Sequence, residues 1–159
     1  MKRGNIIKHP VFIIAAALIV IGCNDRKHDR EFELDELSFD GETMHTIEAM
    51  SGFTIPQGSR GLNFTYKPPV DPGFAARLEI PASSREFVMK QIEGIEGQAT
   101  VASGAPPLHV TWWLSKRENV LAEKQAFNGS GKSSKTGYHH AILTKEGAKL
   151  ILYLHYHTP

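Results

Sequence analysis

The chain is predicted to fold as one small α+β domain, an antiparallel sheet of about four or five strands with one or two helices packed on one face. Three features predict this. Several segments alternate in polarity between glycine and proline boundaries, two stretches carry apolar residues at helical spacing, and the C-terminus reads as a β-hairpin. The composition agrees, since 41% hydrophobic and 22% charged residues in a 159-residue chain belong to a globular protein.

Taken in order, residues 1–22 form an export segment, 23–40 a charged tether whose distal part docks on the body, and 41–159 the globular domain. Residues 42–51 suit a short helix, with Met44, Ile47 and Met50 on one core-facing stripe and Gly52 to end it. Leu62-Asn63-Phe64-Thr65-Tyr66 alternates as a half-buried strand. After the proline-rich stretch 68–73, Phe74, Ala76, Leu78 and Ile80 alternate as a second strand closed by Pro81. Ser83 and Glu86 have the spacing of a capping box before a helix that carries Phe87, Val88, Gln91, Ile92 and Ile95 towards Gly94 and Gly97.

Leu108-His109-Val110-Thr111-Trp112-Trp113-Leu114 reads as a further strand, and Ser115 and Glu118 as the start of a short helix through Ala122 and Ala126. Residues 128–137 are a polar, glycine- and serine-rich loop. The chain closes on strands at 138–144 and 148–156. A three-residue link, Lys145-Glu146-Gly147, suits a turn with a glycine bulge and pairs Thr144 with Ala148. That register places Tyr138, His140 and Ile142 on the core face and His139 on the opposite face with His155 and His157.

The charge is unevenly placed. Residues 24–50 hold nine acids and three bases, and 51–159 eight acids and twelve bases. A weak, dispersed excess over more than a hundred residues lacks the clustered basic patch of a nucleic-acid binder. Cys23 is the only cysteine, which excludes an intrachain disulfide and a thiolate-rich metal site.

The surroundings of Cys23 point to lipidation. A basic leader precedes a run of twelve apolar or small residues, 11–22, and the chain turns polar directly after the cysteine. Twelve helical residues span about 18 Å against a hydrocarbon core of roughly 30 Å. Such a run is short for a membrane span and suits a signal segment; an uncleaved N-terminal anchor with an incidental cysteine is the alternative. Val20-Ile21-Gly22-Cys23 resembles the bacterial lipobox, an aliphatic residue, a variable one, a small residue and cysteine. The resemblance implies a diacylglyceryl group on the thiol, cleavage before Cys23 and acylation of the new amine with a fatty acid such as palmitate. Asn24 in place of aspartate implies the outer membrane, facing the periplasm.

Four further groups suggest chemistry. Gly131-Lys132-Ser133 ends like a phosphate-binding loop, but Ala126 stands where its first glycine belongs, so no nucleotide is expected. His139, His155 and His157, on one face of the predicted hairpin, form a candidate zinc or copper site. The competing reading is that they are solvated strand histidines. Trp112 and Trp113 point opposite ways on a strand, with Trp112 inward and Trp113 a candidate contact for a partner, peptide or sugar. Packing of Trp113 beneath loops is the alternative. No Gly-x-Ser-x-Gly elbow and no HExxH pattern occurs, so nothing argues positively for an enzyme.

From residue 44 to 156 the order Gly52-Phe53-Thr54-Ile55-Pro56, Phe64 to Tyr66, Asp71 before a strand, Trp112-Trp113 and a closing hairpin resembles a loose group of small bacterial lipoproteins of unknown function. No activity transfers from it. The expectation is a lipid-anchored cell-envelope protein, a non-enzymatic binding or structural module with another envelope protein as partner and no resident cofactor. A metal-binding or hydrolytic module on the hairpin histidines is one alternative, and an inhibitor or immunity-type lipoprotein another.

Overall fold

The computed structural model describes residues 30–68, 72–100, 107–113, 119–129 and 136–158. In chain order these form β1 (Phe32–Asp35), α1 (Gly41–Ser51), β2 (Arg60–Lys67), β3 (Gly73–Ile80), α2 (Arg85–Glu93), β4 (Gln98–Ala99), β5 (Val120–Asn128), β6 (Gly137–Glu146) and β7 (Lys149–His157). The seven strands make one sheet in the order β1-β2-β3-β7-β6-β5-β4, and each neighbouring pair is antiparallel. Two meanders, β1 to β3 and β4 to β7, are thus joined where β3 pairs with β7. The α+β class holds, with more strands than expected.

Both helices lie on one face of the sheet. Ile47 of α1 and Val88 and Ile92 of α2 pack into a core with Phe64, Phe74, Leu78, Leu143, Leu152 and Leu154. Asp40 caps α1 by accepting from the Thr43 backbone N–H at 2.8 Å, and Gly52 ends it in the left-handed region at φ 72. The methionine stripe serves this core, as Met44 and Met50 pack against it. Among the described residues no helix is long and apolar enough to cross a membrane.

The distal part of the tether docks on the body, with Phe32–Asp35 as an edge strand pairing with Asn63 to Tyr66 of β2. Four local expectations are corrected. Leu62 is an extra residue between the pairs Gly61–Leu78 and Asn63–Arg77, and this bulge turns it to the face opposite Phe64 and Tyr66. Ser84, not Ser83, stands before α2 and makes no side-chain cap; a 3₁₀ turn over Ala82–Ser84 takes the place of a capping box. Residues 108–113 are not a strand, because Leu108 and His109 both adopt left-handed backbone (φ 52 and 57). Ala122 and Ala126 lie in β5 rather than in a helix, paired with Leu143 and His139.

The segment 107–113 covers the second face of the sheet. Val110 and Trp113 bury themselves there with Ala75, Ile142, Ile151 and Tyr153. The sheet therefore lies between a helical layer and this thinner cover.

Candidate functional site

The histidines are positioned by the last hairpin, whose turn is tighter than its sequence suggests. Glu146 pairs with Lys149 across a two-residue link, Gly147-Ala148, with Gly147 at φ 62. A glycine in that conformation at the first central position suits a two-residue hairpin turn. Shortening the link by one residue moves every β6 side chain to the opposite face relative to β7. His140 accordingly stands across from His155, and Tyr138 from His157.

His139 thus lies on the helix side, edge-on to the Tyr156 ring with centroids 4.9 Å apart. The expected trio of His139, His155 and His157 does not share a face. Among the described residues no group of three or more His, Cys, Asp or Glu side chains is arranged to hold a metal ion.

On the side away from the helices, His140, His155, His157, Tyr138, Tyr153 and Trp113 form a ring-lined layer. Trp113 lies 5.4 Å from Tyr153, 5.6 Å from His140 and 6.3 Å from His155, centroid to centroid. It is only 7% exposed, which agrees with packing beneath a loop and not with an outward contact; Trp112, expected to be the inner ring, is half-buried beside it. The left-handed turn at Leu108 and His109 replaces the strand alternation that would place Trp112 inward.

Charge in this layer is balanced at its edges. His140 Nε2 lies 3.0 Å from a Glu123 carboxylate oxygen. Tyr153 donates to Glu146 at 2.6 Å, and Arg77 donates to the other Glu146 oxygen at 2.7 Å. Burial, together with the bond to Glu146, pushes the Tyr153 phenol up to about 12. Among the described residues the buried Nε2 of His155 has no partner, and burial, then His157 and His140, lowers the pKa of this imidazole to about 3. It stays neutral at ordinary pH.

A groove of about 460 Å³ opens on the helix side. Both helices stop above it, α1 at Ser51 and Gly52 and α2 at Gly94, so the ends of β5, β6 and β7 are left partly uncovered. Gln91 and Thr54 lock the two helix ends together: the Thr54 N–H donates to Gln91 Oε1 at 2.8 Å, and Gln91 Nε2 donates to the Thr54 carbonyl at 2.9 Å. Ala141 and Leu154 line the groove from the sheet, Phe53 and Ile95 from the helix ends, and Glu96, Asn128 and His139 add polar groups. This volume and mixed lining suit a small ligand or an inserted side chain of a partner.

Of the candidate site residues named from the sequence, His139 is the one whose side chain lies on the groove's face. Phe53, Gln91 and Ile95 are legible only as turn and helix residues, and Glu96 and Asn128 carry no local motif, because only the tertiary fold brings the helix ends over the sheet. The meeting of His140 with Glu123 is hidden in the sequence because the segment that carries Glu123 reads as a helix, whereas it pairs with β6 as strand β5. Cys23 and the Gly131-Lys132-Ser133 stretch lie outside the described residues. Compared with protein-family models, curated proteins and solved structures, the chain matches none.

Proposed function

We propose that the chain is a lipid-anchored protein of the bacterial cell envelope, cut before Cys23, that binds another envelope component through the groove on its helical side. The observation that carries the anchor is the twelve-residue apolar run ending in Val20-Ile21-Gly22-Cys23 and followed at once by a polar segment. Two or three acyl chains, at about 0.8 kcal/mol per buried methylene, hold a protein far more firmly than one. Asn24 favours the outer membrane, with the body in the periplasm.

A binding role is supported by the mixed lining of the groove, in which apolar Phe53, Ile95, Ala141 and Leu154 stand beside polar Gln91, Glu96, Asn128 and His139. An inhibitor or immunity-type role differs only in that the captured partner would be an enzyme. The metal reading draws no support from the hairpin, since a face carrying His140, His155 and His157 sets the first against Glu123 and buries the second.

Two experiments test the proposal. A palmitate analogue should label the wild-type protein and not Cys23→Ser; equal labelling of both would refute the anchor. Crosslinking of intact envelopes should capture a partner with the wild-type protein that is lost in the double variant Ile95→Ser, Glu96→Lys, which alters the groove wall and leaves its buried floor. An unchanged capture would exclude the groove as the binding surface.

A further inference from the structure

We infer that a second, apolar hollow, between β1 and the first turns of α1, receives one of the acyl chains carried by Cys23 of the same molecule. The inference rests on the lipid-anchor reading above and gives that lipid a second place to reside. The hollow measures about 380 Å³ and has Phe64 as its floor, Phe32 and Leu34 as one wall, and Thr43 and Thr46 as the other. Protein interiors are ordinarily filled to crystal-like density. Here the helix presents two threonines where larger apolar side chains would close the gap, so an apolar slot stays open beside the edge strand.

Its position identifies the occupant. Arg30 and Glu31 line the hollow, and Cys23 is the seventh residue before Arg30. Seven residues reach at most about 25 Å, so chain connectivity holds the lipid close to the mouth at a high effective concentration.

The rim also selects among lipids. Glu31, Asp40 and Glu42 outnumber Arg30, and this acidic rim repels the carboxylate of a free fatty acid. The ester, thioether and amide links of a lipidated cysteine carry no charge. In water each methylene that enters the slot gains about 0.8 kcal/mol, and the same gain is available from a bilayer. The chain therefore occupies the hollow when the protein leaves a membrane and exchanges into lipid when it arrives.

The test uses full-length protein from cells fed a palmitate analogue that bears a diazirine and an alkyne. Mass analysis of the peptide that begins at residue 23 first reports whether the label sits on Cys23; its absence would overturn the anchor and this inference together. With the label in place, irradiation in detergent-depleted buffer should attach it within residues 30–46 and 60–67 of the same chain. Thr46→Leu, which narrows the slot, should reduce that attachment to background while labelling of Cys23 persists. Attachment elsewhere, or equal attachment in Thr46→Leu, overturns the hollow and leaves the anchor standing. The free analogue added to Cys23→Ser protein should not react at these peptides; reaction there would make the hollow a fatty-acid site instead.

Discussion

At the level of single residues, His155 gives the protein a defined response to acid. Its imidazole is buried among Trp113, Tyr138 and His157 with Nε2 unpaired among the described residues, and its pKa falls from 6.5 to about 3. The unfolded chain binds a proton on this side chain near pH 6.5, whereas the folded chain does not until about pH 3. Stability from His155 is thus fully present above pH 6.5 and is lost progressively as pH falls to 3. The loss should reach about 3 kcal/mol, below the full conversion of the shift because the ring keeps some contact with solvent. Urea unfolding at pH 7 and pH 4 should show it, and His155→Phe should flatten this limb; an unchanged slope in the variant would contradict the assignment. Gly61 makes a different, steric demand. A Cβ there would collide with the Phe39 ring, so Gly61→Ala should cost about 1–3 kcal/mol in thermal or urea unfolding.

At the level of elements, the β6–β7 hairpin decides which side chains meet. A methyl group on Gly147 would meet open space, but the residue sits at φ 62, so only backbone strain opposes substitution. Gly147→Ala should lower stability by about 1 kcal/mol and Gly147→Asn by less, since asparagine tolerates left-handed backbone better. Equal losses would point to packing instead. For α1, Ile47→Ala empties a fully buried site between helix and sheet and should cost about 3 kcal/mol.

These elements also show what is readable from the chain alone. Strands β2 and β3 show in their alternation, β6 and β7 as apolar stretches on either side of a glycine turn, and α1 carries both its apolar stripe and its terminating glycine. Strand β5 is hidden because alanine, glutamate, lysine and glutamine favour helices, a weak preference that pairing with β6 overrides. Strands β1 and β4, of four and two residues, are too short for periodicity to reveal. One residue of turn length reverses the histidine face, and two left-handed residues upstream turn Trp113 inward. The groove cannot be read at all, since Phe53, Gln91, Glu96, Asn128 and His139 meet only after the two helices fold back on the sheet.

At the level of the whole molecule, the arrangement is a sheet with different coverings on its two faces and its entry at one edge. Strand β1 begins nine residues after Cys23, so an anchored body would stand at most about 32 Å from its lipid. Nearness to the membrane surface, the hollow beside β1 and the groove on the helical side belong to one picture only if the cysteine carries fatty acid. Intact-mass analysis of the protein purified from its native membranes decides this. An anchored chain should start at residue 23 and be heavier than its sequence by a diacylglyceryl group, with or without a further acyl chain on the amine. A chain that retains Met1 and an unmodified Cys23 thiol would contradict the anchor.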